Sequence, residues 1–286
     1  MSDKLPVLVT VRGAYRLTME QIGALLRGYW PWLVAAVVLM GGLDWFLVWP
    51  NEKAPGAATG GFGGTMLSAL VEMMVGVVLA VAWHRLVLLR EPVPANGSVT
   101  HRREVGRYAA WSVAFMLLTA VPALVAVGVI GAAIPGAELE ETAASTAASD
   151  ATTGVCCFCI LLGVVIGLPL VAALLYLPTR LSLILPAMAL GRDDITTSDV
   201  WRSTRGNFWR LFIGSCLTIA PGLISFGVLW AAGLISLTPS RLGSLAESVV
   251  SALISLVVGM IWVTFLSLAY RHWFGDAVSQ SAAPVE

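Results

Sequence analysis

The sequence predicts an all-α, polytopic membrane protein with six transmembrane helices and cytoplasmic interfacial amphipathic helices. Three observations carry that prediction. Hydrophobic residues make up 58% of the 286-residue chain and charged residues only 12%, against about 25% charged in ordinary soluble domains. Apolar runs of spanning length recur six times. The basic residues gather in alternate connections between those runs.

Residues 1–28 read as a cytoplasmic N-terminal segment. Within 14–28, Tyr15, Met19, Ile22 and Leu26 fall at helical spacing, and Arg16, Glu20 and Arg27 lie off that line. An amphipathic helix lying in the interface has this pattern; the other reading is an extension of the first span. The segment shows no charged stretch followed by an apolar core and a cleavage site, so no cleavable signal peptide is expected. No lipidation motif stands out.

Residues 29–273 read as the transmembrane domain and 274–286 as a short cytoplasmic tail. The six spans fall at 29–49, 66–89, 108–134, 155–188, 208–236 and 247–273. Each can cross a hydrocarbon core of roughly 30 Å at about 1.5 Å per residue. The fourth is too long for one straight span and holds Pro169, Pro178 and Pro186, so a kink or tilt is expected. Helices are expected throughout because the backbone bonds to itself within one segment, and alternating ten-residue strands are missing from the pattern.

Fifteen of the 17 basic residues fall before span 1, around the 2–3 and 4–5 connections, or at the end of span 6. Only Lys53 and Arg241 fall on the other side. Nine of the 17 acids share the basic side, so the neutral chain hides a split of +6 and −6. The positive-inside rule then predicts that both termini lie in the cytoplasm.

The stretch "SDVWRSTRGNFWRLF" (Ser198–Phe212) joins the 4–5 connection to span 5. Trp201, Thr204, Phe208 and Leu211 recur on one helical line, with Arg202 and Arg205 flanking it. Thr197 or Ser198 is the expected helix cap, and Asp199 suits the positive end of the helix dipole. Trp201 and Trp209 suit headgroup depth, and Arg202, Arg205 and Arg210 suit lipid phosphates or a partner. Nucleic acid is excluded as a partner, because the basic residues are dispersed along a rim and diluted by acids.

"RGYWPWLV", "RYAAWSVAF" and "RGNFWRLF" open the odd spans, and "AWHRLVLL", "YLPTRLSL" and "AYRHWFG" close the even ones. Two readings stand: three helical-hairpin repeats, or helix ends that each collect Arg and Trp at an interface.

Charged groups inside a membrane are functional candidates. Asp44 and Glu72 form a possible intramembrane acidic pair at one depth in the first hairpin; the alternative is that both reach the external surface. His84, Arg85, Arg180 and Arg271 close the even spans and are expected, with the 201–210 group, to meet headgroups or a partner. Cys156 and Cys159 share a face near Met66, Met73 and Met74, a soft-metal pattern. Packing explains small apolar cysteines better, so no metal and no cofactor are expected. Gly163 and Gly167 form a GxxxG packing motif. Neither HExxH nor GxSxG occurs, and no catalytic residue is expected.

"TRLSLILPAMALG" (Thr179–Gly191) followed by the Ser198–Phe212 stretch resembles bacterial YciC-like membrane proteins and the membrane domain fused to some glycerophosphodiester phosphodiesterases. The resemblance covers mainly residues 179–212. It implies a six-span inner-membrane protein without assigned chemistry, and this sequence shows no phosphodiesterase domain. The expected role is an accessory or scaffold component of a membrane complex, as a hetero-complex or homo-oligomer, touching anionic lipids. The alternatives are a transporter or channel for a small solute or lipid, and a lipid-metabolic membrane enzyme.

Overall fold

The structure is a computed structural model that describes residues 4–43, 60–92, 101–133, 176–231 and 241–281. Every regular element among the described residues is helical. In chain order these are α1 (Val7–Leu43), α2 (Gly60–Leu89), α3 (Arg102–Ala133), α4 (Ile184–Ala189), α5 (Thr197–Ser203), α6 (Phe208–Ala231) and α7 (Arg241–Ser281). Residues 176–181 are also helical.

Among the described residues, four stretches are long and apolar enough to cross a membrane: Val7–Leu39, Leu70–Leu89, Phe208–Leu229 and Val249–Gly275. Their mean hydropathy is 1.5 to 2.5, yet at most a third of each apolar window is buried within the protein. Val38, Leu223, Ile224, Val228 and Leu253 are all more than half exposed. Outward apolar surface on this scale suits lipid as the solvent, the condition in which each helix must satisfy its own backbone.

The chain forms two compact units, one of Met1–Ala110 with Ser182–Glu286 and one of Trp111–Leu181. In the first unit, α1, α2, α6 and α7 pack on one another. Pairings along the helices give their directions. Gly13 and Thr18 of α1 meet Leu268 and Thr264 of α7, so these two run antiparallel. Gly214 and Gly222 of α6 meet Phe265 and Val258 of α7, again antiparallel. Trp83 and His84 of α2 bond Thr264 and Ser267, so α2 and α7 run together. The starts of α1 and α6 and the ends of α2 and α7 therefore share one end of the bundle. Most basic residues of this unit lie there.

Small residues set the α6–α7 seam. Gly214, Thr218 and Gly222 are all buried and fall every four residues. A Cβ at Gly222 would come 2.8 Å from Val258 Cγ2, and one at Gly214 would overlap the Phe265 ring. Close helix approach through small-xxx-small positions explains the seam. The GxxxG expected at Gly163 and Gly167 lies outside the described residues.

The first helix differs from its sequence reading. Segment 14–28 is continuous with the following span in α1 and packs along the bundle. Its buried stripe is Val11, Ala14, Thr18, Leu25 and Tyr29, while Met19 and Leu26 are exposed. Tyr15 and Ile22, on the same apolar line read from sequence, are half-buried. Ala and Thr face inward because close helix contact needs small residues and Thr18 has a hydrogen-bond partner there.

The fourth apolar run differs too. Backbone turns at Ser182 and Leu183 interrupt it, and a short, fully buried α4 follows. Helix α4 ends in a Schellman motif, with Arg192 N–H on Ala187 O at 3.0 Å and Gly191 N–H on Met188 O at 3.1 Å. Gly191 takes φ +70° to make that turn, a conformation glycine adopts without a Cβ penalty.

In the second unit, the Trp111 and Phe115 rings meet one turn apart in a tilted arrangement, with centroids at 5.9 Å. Arg180 is buried, donates to Tyr176 Oη at 2.8 Å and lies over the Tyr176 ring.

Candidate functional site

A buried polar network ties three helices together below the basic end. Thr264 Oγ1 donates to Met260 O at 2.7 Å, which uses its one proton. It must then accept from Trp83 Nε1 at 2.6 Å and from Thr18 Oγ1 at 2.8 Å. All three capacities of the hydroxyl are filled. Ser267 Oγ likewise donates to Val263 O at 2.9 Å and accepts from His84 Nδ1 at 2.7 Å. That assigns the proton to Nδ1 and leaves Nε2 facing the Tyr108 hydroxyl at 3.5 Å. Tyr270 Oη is buried with no hydrogen-bond partner among the described residues.

Above this network, charged loops clasp one another. Arg85 holds Glu91 through both Nε and Nη2 at 2.7 Å and reaches Ala189 O at 3.3 Å. The paired guanidinium holds the Glu91 carboxyl below its ordinary range. His101 Nε2 lies 3.6 Å from Glu91. Arg103 and Arg107 of α3 both reach Asp193, and Arg192 pairs with Asp194, lowering that carboxyl as well. The ends of α2, the start of α3 and the loop after α4 are thus tied through ion pairs.

The Ser198–Phe212 stretch resolves into α5, a turn at 204–207 and the start of α6. The cap is Thr196, one residue before the two expected positions. Its hydroxyl accepts from Asp199 N–H at 3.3 Å while the Asp199 carboxylate accepts from Thr196 N–H at 3.0 Å, a capping box. The Thr196 hydroxyl, donating to the Asp199 carboxylate at 2.6 Å, and the Thr196 N–H keep the Asp199 carboxyl low. Gly206, at φ +82°, turns the chain into α6. Asn207 Oδ1 and Arg210 Nη1 then grip the backbone of Leu5, whose side chain is fully buried.

A groove of about 860 Å³ opens at the same end, between α1, α2 and α7. Its apolar floor includes Leu17, Leu86, Val87 and Leu268, and its rim includes Arg16, Arg90, Arg271 and His272. The Arg16 side chain is 80% exposed and pairs with Glu20 at 2.8 Å. Arg90 and Arg271 are exposed and make no ion pair among the described residues.

The residues singled out from sequence divide into three groups. Trp201, Arg202, Arg205, Trp209 and Arg271 are exposed at the basic end. Arg85, Arg180 and Arg210 are engaged internally, so their guanidinium groups hold the protein's own acceptors. His84 corrects the surface reading: it is fully buried and both ring nitrogens face internal hydroxyls. Glu72 is exposed on α2; Asp44, Cys156 and Cys159 lie outside the described residues. Among the described residues, no group of three His, Cys, Asp or Glu side chains could hold a metal ion. The groove's Arg16 and Arg90 were not gathered by sequence reasoning, although 9/10, 13, 16/17 and 20/21 form one helical stripe of α1.

No family model, curated protein or solved structure matches the chain.

Proposed function

We propose that this protein is a non-enzymatic integral membrane protein, an accessory or scaffold component whose basic end faces the cytoplasm of a bacterial inner membrane. The carrying observation is the gathering at one bundle end of basic side chains from segments far apart in sequence, several of them exposed. Trp201, Trp209, Arg202, Arg205 and Arg271 would meet anionic headgroups or a partner there. Two further spans, at 108–134 and 155–188, would complete a six-helix bundle, and the resemblance of residues 179–212 to YciC-like proteins points the same way.

A transporter reading draws less support. The interior polar groups Thr18, Trp83 and Thr264 are spent on one another, which leaves them little capacity for a passing solute. A lipid-metabolic enzyme, which would draw on His84 with Arg85, Arg180 and Arg271, has less support too, because His84 is fully buried.

Site-directed cysteine labelling in oriented membrane vesicles tests the proposal. Cysteines placed at Arg12, Arg102 and Ser198 should react only from the cytoplasmic side. Labelling of these sites from the outside would reverse the topology and remove the proposal. Mild-detergent purification should recover a second membrane protein or a stable oligomer; a bare monomer would argue against the scaffold role.

A further inference from the structure

We propose that the groove between α1, α2 and α7 is a binding site for one anionic phospholipid, its phosphate at the arginine rim and an acyl chain along the apolar floor. This rests on the reading above that the basic end lies at headgroup level.

Three separate helices build the groove. On α1, Val9, Gly13, Leu17 and Glu20 follow one another at three- and four-residue steps and so share a face. The end of α2 adds Leu86, Val87 and the Arg90 that follows it, and the stretch of α7 before its kink at Phe274 adds Leu268, Arg271 and His272. Gly13 lets α7 approach, since a Cβ there would stand 3.3 Å from Leu268 Cδ1.

Charge selects the ligand. Glu20 is the one acid among the lining residues, and it is paired with Arg16. Arg90 and Arg271 therefore present guanidinium groups with no carboxylate partner among the described residues. A guanidinium suits phosphate oxygens through paired N–H bonds. Four other arginines at this end differ: Arg85, Arg103, Arg107 and Arg192 are held by Glu91, Asp193 or Asp194.

The floor selects a lipid over a free anion. An inorganic phosphate would use the rim and leave Leu17, Leu86 and Leu268 wet. An amphiphile uses both surfaces. The groove lies where α2 and α7 leave their spans, at the depth where a lipid places its phosphate. Its volume of about 860 Å³ falls within the range of roughly 300–1,000 Å³ for small-molecule sites.

The test is native mass spectrometry of the full chain from mild detergent, with equimolar phosphatidylglycerol and phosphatidylcholine added. One phosphatidylglycerol should be retained per chain, about thirtyfold over phosphatidylcholine, since two basic contacts near a headgroup together contribute roughly 2 kcal/mol. Arg90→Ala with Arg271→Ala should bring the two lipids to near parity. Arg12→Ala with Arg102→Ala removes the same charge elsewhere and should leave the preference intact. Leu17→Trp keeps every charge but fills the floor, and should lower retention of both lipids; it serves if the double variant does not fold.

Equal retention of the two lipids by the wild type would overturn the proposal. So would a preference that survives Arg90→Ala/Arg271→Ala, or one that falls equally in Arg12→Ala/Arg102→Ala. Displacement of the lipid by millimolar inorganic phosphate would replace the lipid site with an anion site. Cysteine labelling of the same preparation separates the two readings. Cytoplasmic labelling without lipid retention removes the groove proposal alone; external labelling removes the reading beneath it.

Discussion

The loop clasp and the α1–α2–α7 groove lie at one end of the same bundle and draw on the same residue type, yet their arginines do different work. In the clasp, Arg85, Arg103, Arg107 and Arg192 are satisfied by carboxylates from loops beside them. In the groove, Arg90 and Arg271 stand exposed above an apolar floor. A count of positive charge treats the two regions alike. The partners distinguish them: one set of charges builds the fold, and the other is left for something outside it. Substitutions should therefore lower stability in the clasp and alter binding in the groove.

The largest difference is expected at Arg85. Its side chain is only 12% exposed and joins Glu91 to the Ala189 carbonyl. Arg85→Ala removes three charge-assisted bonds and leaves the Ala189 carbonyl without that donor. A loss of about 2 kcal/mol is expected, read by denaturation in a fixed detergent. Arg271→Ala should stay within about 0.5 kcal/mol, as exposed surface substitutions do. Equal losses at both positions would erase the distinction between the regions.

Gly191→Ala should come next. The φ of +70° is unfavourable for alanine, and its Cβ would stand 3.2 Å from Glu104 Oε1. The carboxylate can move aside, so the backbone term dominates, at about 1 kcal/mol. Circular dichroism melts should show the loss, and Gly191→Asn should recover part of it because Asn tolerates this region better. An unchanged melt for Gly191→Ala would mean that the turn does not hold the loop.

The spans and the folding end differed in how far sequence reported them. The apolar runs of α2, α6 and α7 are legible because lipid demands about 20 apolar residues whatever the neighbours are. The inward stripe of α1 is not legible that way. A membrane bundle puts Ala14 and Thr18 inside and leaves Met19 outside, which inverts the pattern used for soluble helices. His84 beside Arg85 looked interfacial because its partners Ser267 and Tyr108 lie 183 and 24 residues away. The capping box was nearly legible: Asp199 at the third helical position selects Thr196 by spacing, one residue before the sites expected. The groove needed three helices in register, which no local pattern supplies.

A groove substitution with the opposite sign sharpens the comparison further. Arg90 closes α2 in a left-handed conformation, with φ 57°, which costs a non-glycine residue about 1 kcal/mol. Its guanidinium makes no ion pair among the described residues that would offset this. Arg90→Gly should then stabilise the protein by about 0.5–1 kcal/mol, less what the more flexible unfolded chain takes back, while weakening retention of phosphatidylglycerol. Destabilisation by this substitution would assign Arg90 to the fold and not to the groove.

The smallest expected effect is a pH dependence that the clasp shares with the Asp199 capping box. Hydrogen bonding to Arg85 depresses the Glu91 carboxyl below its ordinary value of 4.5, and Arg192 depresses Asp194 below 3.8. A carboxyl depressed on folding adds stability above its unfolded value and loses it as pH falls through the folded one. Stability should thus be flat from neutrality to about pH 5 and decline below that. Both carboxylates are partly or largely solvated, so the decline should be shallow. Arg85→Ala should remove the Glu91 share of it, because the partner that lowers that carboxyl is gone. Arg90→Ala and Arg271→Ala should leave the acid slope as it is, since neither arginine pairs with Glu91 or Asp194. A slope that changes with the groove variants and not with Arg85→Ala would assign the acid-sensitive pairs to the wrong region.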